Sequence, residues 1–404
     1  MDEVLANIQL LLLSPLASIG AALLLSQVIG VALQQRRLPK LYGAVIAGLL
    51  LGTSGLGIVD APLLAQFQEL LNAASALVLF EVGRKMDLGW LCRSRRQGLA
   101  LLLGCAARGL ACAVALWIAG VSAVEAALVG SILIAVNPVV YASMTADSDA
   151  SGVVTYAGAN TVGLSNLLGL LALSVSLAWL RAHNAESGGT LLEELARQGT
   201  KLALGALIAV FCYGLYAAAT RIAKAQASVR PGILLAALLM DLGLCSVSSS
   251  SALLSLLLMG LLLRNAESRE NVFQAQIKTG QEIGYALLFM MAAALVDLRQ
   301  VMLWAPMLLA MLLFVLRMGA TRLALTISDA WSRPKKDALT VTLCSLASVG
   351  TLVVDTSMAQ TAGMSGLTAS VMGALLALNV LVAPGLTWWG LRRAGEVREG
   401  DGHG

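Results

Sequence analysis

Long apolar runs, interrupted by short charged or turn-rich joints, follow one another from residue 8 to residue 391. A stretch such as LLLSPLASIGAALLLSQVIGVAL (11–33) is apolar around its whole circumference rather than at every second position. A membrane β-strand would alternate over ~10 residues, so the pattern predicts helices, each near the ~20 residues that cross ~30 Å of hydrocarbon. Dividing the runs at their joints gives thirteen spans, near 8–34, 41–58, 63–83, 98–119, 122–144, 153–180, 200–220, 231–247, 249–263, 279–297, 300–321, 338–359 and 365–391. The division between 231–247 and 249–263 rests on the serine-rich SVSSSS alone. The acidic start MDEVLANIQ is unlike the basic head of a cleavable signal, so the first run is expected to stay as a span.

Composition agrees with this pattern. Of the 404 residues, 58% are hydrophobic and 12% charged, with a mean hydropathy of +0.82; soluble domains are nearer a quarter charged. The chain therefore reads as an all-α polytopic membrane protein. Charge adds an orientation. Under thirteen spans, 21 of the 27 basic residues fall in joints on one side and in the tail RRAGEVREGDGHG, whereas Arg181, Arg197, Lys201 and Arg299 fall on the other. Basic joints are cytoplasmic, which predicts an external amino terminus and a cytoplasmic carboxyl terminus. The net charge of +4 is then an orientation signal, not a nucleic-acid footprint. The longest polar segment, 181–200, is too short for a soluble regulatory domain, and a single membrane transporter domain is expected.

Several chemistries find nothing to build on. The six cysteines show no CxxC spacing, and the two histidines, His183 and His403, stand in polar segments, so no metal or other cofactor is expected. GLSNL (163–167) lacks the second glycine of a nucleophile elbow, and no Walker, dinucleotide or HExxH motif occurs. An enzyme is not indicated.

Two segments repeat a pattern. AGLLLG followed by ALVLFEVGRKMDL resembles MGLLLRN followed by ALLFMMAAALVDL: Ala76–Asp87 maps onto Ala286–Asp297 at an offset of 210, and Gly48 onto Gly260 at 212. The charge count puts Asp87 inside and Asp297 outside, so the copies would be inverted, with units near 41–180 and 249–391, as in many secondary transporters. Such transporters place their substrate where paired broken helices meet at the midplane. The fifth span offers SILIAVNPVVYAS, where Pro138 in mid-helix would free carbonyls around Ile134. Its counterpart is CSLASVGTLVVD (344–355), loosened at Gly350.

These residues carry a resemblance to the cation:proton antiporter superfamily, in particular its bacterial monovalent-cation and potassium-efflux branch. RRLPKLYGAVIAGLLLGTSGLG (36–57), ALVLFEVGRKMDL (76–88), DLGLCSVSSSSALLSLLLMGLLLRN (241–265) and ALLFMMAAALVDL (286–298) are similar to that family's motifs in order and spacing. The resemblance implies a sodium/proton-antiporter-like fold of about thirteen helices with two inverted units whose broken helices cross. It also implies a homodimer whose core moves as an elevator through the bilayer of a bacterial inner membrane, exchanging a monovalent cation for protons. The family places its acidic ion site on the helix after the first crossing. Here that stretch is GANTVGLSNLLGLLAL, and the acidic pair falls on Ser165 and Asn166. Neither titrates, although a hydroxyl or amide oxygen can ligate a cation. The family's basic-Gly-acidic step on the second crossing falls on uncharged Ser348, Val349 and Gly350.

Charges inside spans are costly and mark function by default. Arg317 matches the family's core basic residue; its expected partners are a broken-helix carbonyl, a carboxylate such as Asp241 or Asp355, or a bound anion, unless it snorkels toward Arg322. Asp241, with no charge for ten residues on either side, and Asp355 are candidate proton carriers; Asp241 could instead hydrogen-bond the serine cluster. Glu81 has Arg84 and Lys85 at helical spacing, and Arg108 is expected to find an interhelical pair. Asn137, Asn160, Thr161, Ser165, Asn166 and Ser348 are the neutral candidates for the ion or substrate site. Three functions stay open: a cation:proton antiporter, a transporter of an anion or polar organic solute, and a transport-inactive sensor or assembly partner.

Overall fold

A computed structural model of the chain describes residues 15–36, 38–59, 66–183, 190–222, 229–266, 274–296, 298, 304–329, 331–346 and 365–397. Among them there is no strand. The helices are α1 (Pro15–Gln35), α2 (Leu41–Leu51), α3 (Gln68–Lys85), α4 (Leu88–Arg93), α5 (Arg95–Ile118), α6 (Ala123–Ile132), α7 (Pro138–Asp147), α8 (Val153–His183), α9 (Leu191–Ile222), α10 (Arg230–Val247), α11 (Ala252–Ala266), α12 (Gln274–Ala294), α13 (Trp304–Ala324), α14 (Arg333–Thr342), α15 (Gly366–Leu381) and α16 (Ala383–Arg393). Taking α6 with α7 and α15 with α16 as broken spans, and α4 as a connector, the helices are roughly consistent with thirteen spans, the twelfth being described only as far as residue 346. The doubtful division is real: α10 ends at Val247, Ser249 turns through a φ of +50°, and α11 starts at Ala252.

Three spans differ from their sequence outline. The second is helical only to Leu51, because Gly55 and Gly57 fold their N–H groups back onto the Gly52 carbonyl. The fifth is not a helix kinked in the middle; Pro138 opens a separate helix. The thirteenth bends by 45° at Val382, where Pro384 in the first turn of α16 has no N–H to continue α15.

Contacts at helix ends always join ends on the same side of the thirteen-span alternation. On one face the Lys40 N–H donates to Asp147 (3.1 Å), Lys40 Nζ lies 3.9 Å from Glu282, and the Ser151 N–H donates to the Glu396 carbonyl (2.9 Å). On the other, Glu125 accepts from Ser365 Oγ (2.8 Å) and Thr368 Oγ1 (2.5 Å), and the Leu298 N–H donates to Ser54 Oγ (2.9 Å).

Backbones meet where glycine removes the side chain. A Cβ on Gly48 would lie 2.2 Å from the Met290 carbonyl oxygen and 3.1 Å from the Ala294 nitrogen; one on Gly260 would lie 2.1 Å from Phe80 O and 2.9 Å from Arg84 N. Phe80 and Met290, and Arg84 and Ala294, are each 210 residues apart. The two glycines matched in the sequence therefore make matching contacts, each with the other segment's partner helix, α2 on α12 and α11 on α3. Gly83 is as tight, its added Cβ falling 2.0 Å from Leu257 O. In lipid, with little hydrophobic drive between helices, such approach is a principal source of packing. Gly83→Val should lower unfolding stability by about 3 kcal/mol or abolish folding, whereas Gly199→Ala, which meets open space, should change it little; thermal unfolding of the purified protein in detergent measures both.

Candidate functional site

Between α6 and α7 the chain leaves the helix for residues 133–137. The last turn of α6 tightens, with Ile134 and Ala135 N–H groups reaching only the Ser131 and Ile132 carbonyls (both 3.3 Å). Asn137 then takes an extended backbone and caps α7, its Oδ1 accepting from the Val139 (2.9 Å) and Val140 (3.3 Å) N–H groups. The freed carbonyls are those expected near Ile134, but the proline's part is to start a helix, where its missing N–H costs nothing.

The Leu133 and Ala135 carbonyls and both backbone groups of Val136 are taken by neighbouring side chains. Arg317, buried on α13, donates from Nε to Leu133 O (2.7 Å) and from Nη2 to Ala135 O (2.8 Å). Its Nη1 reaches the chain where it has left α14, donating to Cys344 O (2.8 Å) and Ser345 O (3.0 Å). Of the partners open to Arg317 in sequence, it has broken-helix carbonyls from both breaks, and it does not snorkel. Ser165 and Asn166, on α8, grip Val136 from both sides: Ser165 Oγ accepts its N–H (3.1 Å) and Asn166 Nδ2 donates to its carbonyl (2.9 Å). Ser165 Oγ also donates to Val162 O (2.9 Å), and Asn166 Nδ2 to the same oxygen (2.8 Å). Because Nδ2 faces two carbonyls, the amide orientation is fixed and Oδ1 is the free acceptor. Across the second break the Leu346 N–H, 210 residues beyond Val136, donates to Asn379 Oδ1 on α15 (2.9 Å). Sequence reasoning missed Asn379; an amide within the apolar ALNVL was the available signal.

α8 is held in register from its first turn. Glu396 accepts the Val154 and Thr155 N–H groups (both 2.7 Å) and the Thr155 hydroxyl (2.9 Å). Asn160 does not face the break: its Oδ1 accepts the Asp87 N–H (2.8 Å), while Asp87 accepts from Tyr156 Oη (2.6 Å). Burial raises the Asp87 carboxyl, but the Tyr156 hydroxyl, the Trp90 N–H, Arg264 and Arg93 bring it below its ordinary value. Thr161 donates to Ala157 O within α8. Asn137, Ser165, Asn166 and Arg317 thus come together around residues 133–137, whereas the Asn160 amide is bound to Asp87 and the Thr161 hydroxyl to its own helix. Ser348, Gly350 and Asp355 lie outside the described residues.

Asp241 stands apart, fully buried on α10 in a core shared with α9 and α11. It accepts from Ser255 Oγ (2.8 Å) and Cys245 Sγ (3.6 Å); the hydroxyl comes from α11, beyond the SVSSSS run. Glu81 is paired as its spacing foretold, with Arg84 (2.9 Å) and Lys85 (3.4 Å). Arg108 is not: its one hydrogen bond runs to Cys105 Sγ on its own helix (3.0 Å), and no interhelical carboxylate meets it among the described residues.

Comparison with known proteins bears on this arrangement. The family model described as "Sodium/hydrogen exchanger, transmembrane" matches residues 19–389. Among solved structures, the sodium proton antiporter MjNhaP1 from Methanocaldococcus jannaschii aligns with a TM-score of 0.69 at 16% identity, over 95% of this chain and 96% of that one. No curated protein matches the chain at a significant level.

Arg317→Lys should cost about 3 kcal/mol or more, since an ammonium has three donors for four widely spread carbonyls and leaves buried acceptors unmet. Equilibrium unfolding of the variant beside the parent measures the loss; a difference under about 1 kcal/mol would contradict the clamp described above.

Proposed function

The chain belongs to the sodium/hydrogen exchanger family, a family of secondary transporters, and on that premise we propose that it exchanges a monovalent cation for protons at the crossing of its two broken spans. Units near 41–180 and 249–391 form an inverted pair, and the core carrying the breaks moves as an elevator against a scaffold that pairs two copies of the chain. The matching glycine contacts at an offset of 210, and the matching grips on Val136 and Leu346, support that pairing. The basic joints support a cytoplasmic carboxyl terminus in a bacterial inner membrane.

The observation that carries the reading is the grip of Ser165 and Asn166 on Val136. Those bonds hold Ser165 and Asn166 against the break, which supports reading them as the positions of the family's acidic pair. The cation there meets neutral oxygen, with Asn166 Oδ1 left over after the other polar groups of the pair have been used. A neutral pair gives up no proton, so coupling needs a carboxyl group elsewhere. Asp241 serves: it is fully buried, its bonds are to a hydroxyl and a thiol, and it gains or loses a proton without breaking an ion pair.

Proteoliposomes containing a pH-sensitive dye test this. Sodium- or potassium-driven proton flux is expected, lost in Asp241→Asn while radioactive cation binding persists. Absence of flux with every monovalent cation would overturn the reading, and full flux in Asp241→Asn would move the proton to another group.

A further inference from the structure

Arg108 on α5 and Arg317 on α13 are neighbours across an antiparallel helix pair. Cys112 Sγ donates to Leu313 O (3.7 Å), and a Cβ added at Gly104 would lie 3.4 Å from Ala324 Cβ. Going back one turn from Cys112 and forward one turn from Leu313 brings Arg108 and Arg317 to the same level, and their charges are within Coulombic reach. Each is 1% exposed. Arg317 has its four carbonyls, but Nε and Nη1 of Arg108 have no hydrogen-bond partner.

Among the described residues, the charged and thiol groups that act electrostatically on Arg317 are Arg108, Cys112, Cys344 and Cys105, with no carboxylate among them. An arginine does not shed its proton to escape burial, and two like charges in a medium of low dielectric call for a counter-charge. Apart from the acceptor Asn166 Oδ1, the other polar atoms left without a partner at the breaks, among the described residues, carry protons to donate. Asn137 Nδ2 and Asn379 Nδ2 have no acceptor, each amide's orientation being fixed by the N–H groups on its Oδ1, and Ser345 Oγ is unpartnered. A cluster of unmet donors around two guanidiniums has the chemistry of an anion site.

We propose that Arg108, through Nε and Nη1, binds a small monovalent anion of chloride's size beside the crossing. The anion supplies the negative charge that Ser165 and Asn166 lack, offsetting the two guanidiniums near Asn166 Oδ1. That last consequence rests on the exchange reading above; the binding does not.

The full-length protein is unfolded thermally in sodium chloride and in sodium gluconate at equal ionic strength, and bromide is located by anomalous scattering in crystals. Chloride should raise the unfolding temperature saturably, Arg108→Gln should abolish the saturable part, and bromide density should lie against the Arg108 guanidinium. Equal unfolding temperatures in the two salts, an undiminished chloride effect in Arg108→Gln, or bromide density absent from the crossing would each overturn the proposal. Should Arg108→Gln fail to fold, the bromide position in the parent protein decides. Chloride stabilisation without cation-driven proton flux would retain the anion site and discard the exchange reading.

Discussion

One guanidinium joins the two places where the backbone leaves its helices. Irregular backbone at membrane depth persists only where its N–H and C=O groups find partners in protein or trapped water. Arg317 accommodates four carbonyls from spans that are distant in sequence, Leu133 and Ala135 from one and Cys344 and Ser345 from the other. A planar fork with donors on both edges suits this task, and the compact ammonium of lysine does not. The remaining polar groups at the breaks arrange themselves around that clamp: Ser165 and Asn166 on Val136, Asn137 on the start of α7, Asn379 on Leu346.

The clamp also constrains the chemistry. Ser165 and Asn166, proposed to stand where the family has its acidic pair, use their donors and the serine oxygen on backbone groups, leaving the Asn166 amide oxygen. Among the described residues, Asp241 on α10 is a fully buried carboxyl with no cation against it, while a second guanidinium, Arg108, stands next to the clamp with no carboxylate against it. On the proposed exchange reading, the neutral Ser165–Asn166 pair beside the Arg317 clamp, rather than a carboxylate, sets what can enter.

Much of this was legible in the sequence because it is written in local pattern. The spans follow from apolar runs, and the break near Ile134 from a proline preceded by an asparagine in an apolar helix. The glycine contacts follow from a repeated spacing. Arg317 and the Ser165–Asn166 pair stood out as polar groups where none is cheap. What escaped depends on long-range geometry. Asn379 is one amide among several until Leu346 N–H is seen against it; Asn160 reads as a cavity residue until Asp87 N–H claims it. The grip of Glu396 on the start of α8 spans 242 residues, and no periodicity announces it. Arg108 was expected to pair because buried charges generally do; its missing partner is visible only in three dimensions.

How Arg317 is satisfied decides whether the crossing is neutral, and a density map of the full-length protein in a lipid nanodisc tests this most directly. The guanidinium should lie within hydrogen-bonding distance of the Leu133, Ala135, Cys344 and Ser345 carbonyls, with no carboxylate oxygen within about 4 Å. A carboxylate against it, that of Asp355 or any other residue, would contradict the neutral crossing and restore an acidic site.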